Sequence, residues 1–263
     1  FSMDASLFIS KTGLDAQQRR MSVISNNLAN VSTTGFKRER AVFEDLLYQN
    51  IRQAGGQTGA DTQAPIGLLM GTGTRVLANE KIHNQGNIIT TDNALDLAID
   101  GDGFFQISQQ DGTIAYSRDG GFKLSNLGQL VTSNGDLLQP VITLPPNTSS
   151  VTIGRDGIVS VELFAGQGQQ VLGQIQISRF LNNAGLQPIG SNLYKETIAS
   201  GVPNVLNPGL EGAGIIRQGT LEASNVNVVE EMVNMIETQR AYEVNSKSIS
   251  ATDGMLRFLN NNL

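Results

Sequence analysis

One histidine, no cysteine and a scatter of aspartates bound the chemistry open to this chain of 263 residues. His83, within Glu80-Lys81-Ile82-His83-Asn84-Gln85-Gly86, is the single histidine. A two-histidine metal site is therefore impossible, and a Ser-His-Asp triad would have to be built on His83 alone. No Gly-x-Ser-x-Gly elbow accompanies it, and its polar surroundings give it a structural or surface role. The lack of cysteine removes thiol nucleophiles, thiolate ligands and disulfides while leaving the compartment open. Asp100-Gly101-Asp102-Gly103 has the start of a calcium loop, but Phe104 stands where a third oxygen ligand is needed and no glutamate closes it. It reads as a tight turn before a strand over 104–108. Gly71-x-Gly73 and Gly212-x-Gly214 are followed by neither Lys-Ser/Thr nor a helix of a βαβ unit, and read as turns. Paired carboxylates for glycoside hydrolysis stay open, since Asp92, Asp96, Asp100, Asp102, Asp111 and Asp119 could meet in space. Aspartate is nonetheless expected at such turns. No catalytic, cofactor-binding or metal-ligating residue is assigned.

Charge narrows the partners. A formal net charge of -6 and a pI near 4.8 argue against a dedicated nucleic-acid binder. The local cluster Lys37, Arg38 and Arg40 reads as solvated surface. No apolar run is long enough to span a bilayer, and the first residues lack the apolar core and cleavage site of a secretory signal peptide. An exported chain of this kind would use another route.

The elements that must position these residues have three textures. Leu7, Leu14, Met21 and Leu28 recur at every seventh position near the start, with Ile24 and Val31 one helical step away. Val228, Met235, Tyr242, Ile249, Leu256 and Leu263 do the same at the end, interrupted by no helix breaker but Gly254. Strict seven-residue periods make narrow seams that pair helices as coiled coils. A helix with so narrow a stripe frays alone, because backbone ordering outweighs what one ladder returns. The ends are expected to order against each other and against neighbouring copies. Gln17, Gln18, Arg19, Asn26, Asn27 and Asn30 on one helix, and Asn234, Thr238, Gln239, Asn245 and Ser246 on the other, suit hydrogen bonding between helices and a wet lumen. Between the ends, Asp111-Gly112, Asp119-Gly120, Leu127-Gly128, Asn134-Gly135 and Asp156-Gly157 alternate with short apolar runs and predict antiparallel hairpins.

The expected fold class is α+β. Residues 1–35 and 223–263 form a terminal helical assembly domain whose helices pair as a coiled coil, and 76–222 form a central antiparallel β-rich domain. Residues 36–75 form an extension whose Gln/Gly/Thr-rich part is expected either to be disordered alone or to order against a neighbour.

Ser25-Asn26-Asn27-Leu28-Ala29-Asn30-Val31-Ser32-Thr33-Thr34-Gly35-Phe36-Lys37-Arg38 resembles the N-terminal signature of the bacterial flagellar rod and hook family. Ser224-Asn225-Val226-Asn227-Val228-Val229-Glu230-Glu231-Met232 and Gln239-Arg240-Ala241-Tyr242-Glu243-Val244-Asn245-Ser246-Lys247 resemble its C-terminal signature. Gly101-Asp102-Gly103-Phe104-Phe105, Tyr116-Ser117-Arg118-Asp119-Gly120 and Gly128-Gln129-Leu130-Val131 resemble motifs of its β domain. The resemblance covers the whole chain, and Phe43 to Gly73 is similar to the extension of subunits that build the distal part of the rod. It implies a building block without enzymatic activity or cofactor, exported unfolded through the flagellar type III apparatus without a cleaved signal. Such a subunit polymerises into a periplasm-spanning tube of the basal body that transmits torque and encloses the export channel. Its implied partners are further copies, proximal rod proteins, the hook protein, surrounding outer ring proteins and the export apparatus, with no nucleic acid and no membrane insertion. Leu7, Leu14, Met21, Ile24, Leu28, Val31, Val228, Met235, Tyr242, Ile249 and Leu256 would then be subunit-interface residues. Asn26, Asn27, Asn30, Gly35, Phe36, Asn225, Gln239 and Arg240 would carry the family motif. Two alternatives remain: another axial subunit, proximal rod or hook, and a secreted peptidoglycan hydrolase.

Overall fold

A computed structural model describes residues 2–52, 66–164 and 168–261. It is α+β: one long helix at each end and antiparallel strands between. The chain divides into two compact units.

The first unit holds residues up to 28, 39–80 and from 227 onward. Helix α1, Ser2–Ala29, and helix α2, Val228–Asn261, run 28 and 34 residues, about 42 and 51 Å at 1.5 Å per residue. Helix α2 opens on a side-chain cap: Asn227 Oδ1 accepts from the backbone of Val229 at 3.0 Å and Glu230 at 3.4 Å. Glu230 and Glu231 then place negative charge in the first turn, where the helix dipole favours it. Gly254 does not interrupt α2. Helix α1 ends at Ala29, so Val31, expected on the helix, lies in the turn beyond it.

The expected extension is not loose in its described part. Strand Glu39–Asp45 pairs with strand Thr74–Lys81, and Gln49–Arg52 pairs antiparallel with Leu68–Met70. Leu46 N donates to Gly73 O at 3.0 Å, and Arg75 is ion-paired to Glu44. The flanks of the Gln/Gly/Thr-rich stretch therefore satisfy each other's backbone, which neither branch of the sequence expectation allowed for. Residues 53–65 of that stretch lie outside the described residues. The ribbon meets α1 closely. Gly73 sits at φ +114°, and a Cβ there would stand 2.2 Å from Thr12 Oγ1.

The second unit holds 29–38 and 81–226. Its main sheet runs Gln187–Gly190, Leu193–Lys195, Ile114–Ser117, Phe104–Ser108, Leu137–Gln139, Leu130–Val131, Lys123–Leu124. Ile177–Arg179 also pairs with Phe104–Ser108, and Asn204–Leu206 pairs with Ile177–Arg179. A meander of Thr148–Ile153, Ile158–Leu163 and Gln169–Gln174 covers it, with Leu97, Ile99, Phe105, Ile107, Ile175 and Ile216 fully buried in the shared core. Four of the predicted Gly turns are hairpins, at 112, 128, 135 and 157, each with the glycine at positive φ. Asp119-Gly120 is the exception. The strand before it pairs with 104–108 and 193–195 instead, and a Cβ at Gly120 would lie 1.7 Å from the carbonyl oxygen of Leu97. That glycine serves close packing, not a hairpin.

Candidate functional site

The helix pair carries two ladders, and they face differently. Among the described side chains of α2 the buried ones are Glu231, Thr238 and Thr252, with Asn245 half-buried: polar residues spaced by sevens. Val228, Met235, Tyr242 and Ile249 of the apolar ladder sit three positions before them; Met235, Ile249 and Leu256 are half-buried and Val228 and Tyr242 exposed. On α1, Leu7, Leu14, Met21 and Leu28 are likewise half-buried, while Ser10, Ala16, Val23, Ile24 and Asn27 are buried. Leu263 lies outside the described residues.

Polar side chains join α1 to α2. Ser10 and Ser248 hydroxyls meet at 3.4 Å, a Cβ at Gly13 would press on the Asn245 amide at 3.2 Å, and Arg20 donates to Asn234 at 3.4 Å. Asn27 is the strongest point. Its amide accepts from Glu39 N at 2.8 Å, donates to Glu39 O at 2.9 Å, and donates to the Glu231 carboxylate at 3.3 Å. The seam that holds the two helices of one chain thus fixes register by hydrogen bonds. Apolar side chains remain outside it: Phe8, Ile9, Val229, Met232, Val233, Ile236, Val244, Met255 and Phe258 are all exposed.

The remaining motif residues have distinct places. Asn26, Gln239 and Arg240 are on exposed helix positions. Asn30 accepts from the Thr33 hydroxyl at 3.2 Å in the turn after α1. Gly35, at φ +67°, leaves no room for a side chain: a Cβ would meet Asp119 N at 2.6 Å. Phe36 is buried, with the Lys81 ammonium 5.0 Å from its ring centre. Asn225 bonds three backbone groups, accepting from Arg38 N at 2.7 Å and donating to Ile82 O at 2.8 Å and Asn84 O at 3.0 Å.

Lys37 is not solvated, contrary to the sequence reading. It is 1% exposed because a carboxylate 185 residues away waits for it: its ammonium donates to Glu222 Oε1 at 2.6 Å and to Asn84 O at 2.8 Å. Glu222, equally buried, also accepts from Gly86 N at 2.8 Å and pairs with Arg118, whose Nε lies 3.0 Å from Oε2. The Arg118 guanidinium then donates to Gly103 O and Gly101 O, each at 2.7 Å. Two family motifs of the β domain are thereby locked together. Burial pushes the Lys37 ammonium below the ordinary lysine range against the pull of Glu222. Arg40, by contrast, is exposed and pairs with Glu80 at 2.7 Å.

His83 packs edge-on against Phe104 and Tyr194 at centroid distances of 5.7 and 5.5 Å. Neither ring nitrogen has a hydrogen-bond partner among the described residues. Desolvation, with Lys37, Lys81 and Arg118 nearby, lowers its pKa to about 4. It is a neutral, half-buried histidine set against two aromatic rings. Two of the turn aspartates are engaged structurally: Asp100 pairs with Arg217 at 2.5 Å, and Asp96 accepts from Thr91 and Asn93. Among the described residues no three His, Asp or Glu groups could hold a metal, and no helix is long and apolar enough to cross a membrane.

Sequence reasoning missed the roles of Glu231, Lys37, Arg118 and Glu222. Glu231 carried a signal, since 231, 238, 245 and 252 form a second ladder of sevens. The ion cluster carried none locally, being assembled from segments far apart in sequence.

Comparison with known proteins agrees along the whole chain. Residues 8–37 match the family model described as flagella basal body rod protein. Residues 98–161 match the flagellar hook protein FlgE/F/G D1 domain, and 217–262 match the flagellar basal body rod FlgEFG protein C-terminal model. The flagellar basal-body rod protein FlgG of Buchnera aphidicola subsp. Schizaphis graminum is 58% identical over 98% of this chain and 99% of its own length. Those of Borreliella burgdorferi and Bacillus subtilis are 49% and 41% identical, covering 98% and 97% of this chain and 98% of each relative. These are structural proteins, not enzymes, which removes the hydrolase alternative. With three family models matched in order and full-length relatives at such identity, this chain belongs to the flagellar basal-body rod protein family.

Proposed function

We propose that this chain is the repeating subunit of the distal rod, a tube that polymerises through α1 and α2, crosses the periplasm, transmits torque to the hook and encloses the export channel. One observation carries the reading: polar side chains join the two helices within one chain, and apart from Ala16, Val23 and Ile24 the apolar residues described on both terminal helices are left exposed or half-buried. A monomer seldom leaves so much apolar helix surface open; neighbouring copies would cover it as a layer of helices pairing in coiled-coil fashion. Leu7, Leu14, Met21, Leu28, Val228, Met235, Tyr242, Ile249 and Leu256 would supply the contacts.

The ribbon supports the distal-rod reading over a proximal rod or hook subunit. Leu47, Tyr48, Ile51, Ile66, Leu68 and Leu69 all lie exposed on it, in keeping with a bridge to adjacent subunits. Proximal rod proteins, hook protein and surrounding ring proteins would meet the two ends and the outside of such a tube, after export of the unfolded chain through the type III apparatus. Leu14→Asp and Ile249→Asp test the reading. Each is expected to abolish tube formation seen by negative-stain electron microscopy, while the β-rich unit keeps its near-ultraviolet circular dichroism. Normal tubes from either variant would refute it.

A further inference from the structure

One short segment of the second unit, residues 215–225, joins parts of it that lie far apart in the chain. Among the described residues, Ile215–Gln218 is the only strand paired with Leu97–Asp100, and Thr220–Glu222 the only one paired with Ile88–Thr90. Leu97, Ala98, Ile99 and Ile216 are fully buried along the first pairing. The Gln218 amide ties in the meander: it donates to Val151 O and Ala94 O, each at 2.8 Å, and accepts from Ile153 N at 3.0 Å. Ile216 N donates to Arg155 O at 3.1 Å and Ala223 N to Asn87 O at 2.8 Å, while Glu222 O accepts from Gly35 N at 2.8 Å. Asn225 then bonds Arg38 N, Ile82 O and Asn84 O.

Charge makes the same segment indispensable to what precedes it. Lys37 and Arg118, the latter directly after the strand over 114–117, are both buried and both meet the Glu222 carboxylate. Burying either cation before Glu222 arrives leaves it without that carboxylate, which opposes early closure. Strand Leu97–Asp100 faces the same delay. Its partner strand lies beyond residues 101–214, so pairing must wait for a long loop to close at an entropic cost. Until then a strand destined for burial has backbone groups with nothing to bond but water.

We infer that residues 215–225 are a clasp that times the folding of the β-rich unit: the unit closes only when this segment docks, and stays open while the segment is still held elsewhere. A chain released from its N-terminal end, by the ribosome or by an export channel, presents Lys37, strand 97–100 and Arg118 before it presents Glu222. It completes the unit only after the clasp follows. The inference rests on the export of an unfolded chain in the proposed function, and names the part of this chain that keeps the β-rich unit from folding too soon.

Refolding of the full chain from urea, as a monomer, tests this by pulsed hydrogen exchange read by mass spectrometry. The amides of 97–100, 104–108, 114–117 and 215–222 are expected to gain protection together. Protection of 104–108 and 114–117 in an earlier phase, with 215–222 still exchanging, overturns the clasp. Stopped-flow kinetics give a second reading through Gln218→Ala, which removes the bonds to Ala94, Val151 and Ile153. Refolding should slow at least about fivefold and unfolding change less than about twofold, because a contact made before the folding barrier acts on the folding rate. Faster unfolding with unchanged refolding would mean that the segment docks onto a finished unit, and overturns the clasp equally. Both readouts come from the monomer. A chain that forms no tubes removes the polymerisation reading and leaves the clasp, whereas early protection of the central strands removes the clasp and leaves polymerisation.

Discussion

Glu222 holds two cations on one buried carboxylate, and that arrangement sets the most sensitive point of the β-rich unit. Glu222→Gln takes the contacting carboxylate from both Lys37 and Arg118, and should cost about 3–5 kcal/mol in urea unfolding. Lys37→Met removes one cation but leaves Glu222 with Arg118 and Gly86 N, and should cost only about 1–2 kcal/mol. Equal losses would mean that the cluster does not act as a unit. His83 contributes a separate pH dependence. Its ring is held neutral with a pKa of about 4, whereas in the unfolded chain it titrates near 6.5. Between those values the unfolded state binds the extra proton, so stability falls as the pH drops from about 6.5 to about 4, by up to about 3 kcal/mol. His83→Phe should flatten that part of the stability curve; an unchanged slope would show that His83 is not its source. A structural or surface role for His83 was legible in the sequence; its neutral state was not, because Phe104 and Tyr194 reach it from far along the chain. The burial of Lys37 was not, because its neighbours Arg38 and Arg40 belong to the same basic cluster and only the distant Glu222 singles it out.

At the scale of elements, turns and caps follow local rules closely. Asn227 caps α2, and the hairpin glycines take the positive φ that their turns require. Two glycines separate conformation from crowding. Gly135, at φ +89° with open space around its Cβ position, should lose about 1 kcal/mol on change to alanine. Gly35 combines φ +67° with a Cβ position 2.6 Å from Asp119 N, so Gly35→Ala should cost about 3 kcal/mol or more, read as a larger fall in the thermal midpoint. Equal shifts for the two would show that the turn after α1 yields freely. The ladders were legible as helices for the same local reason. Which ladder faces the partner helix was not, since periodicity of seven fits both the apolar set and the polar set beginning at Glu231.

For the whole molecule the test falls on the ribbon, proposed above as a bridge to adjacent subunits. Leu46 N bonds Gly73 O, so replacing residues 47–72 by a two-residue Asn-Gly turn keeps the base of the ribbon closed while removing its exposed apolar tip. Export should be unaffected, and the resulting tubes should be visibly more curved in electron micrographs. Straight tubes of wild-type stiffness from that variant would end the bridging role. The acidic net charge belongs to this scale as well. Assembly should be easier at raised ionic strength, which screens repulsion between copies.

The order of residues alone determined the helix at each end, the antiparallel body, most of its hairpins, the absence of a thiol or two-histidine site, and the family signatures. Each rests on short-range physics: a heptad period, a glycine at a turn, a cap, a residue type that is missing. The fold decided which basic residue is buried, which ladder closes the helix pair, that Asp119-Gly120 packs under Leu97 instead of turning a hairpin, and that the flanks of a polar extension pair with each other. Those outcomes depend on partners brought from far along the chain, because the cost of burying a charge or a backbone group is settled by what lies opposite it.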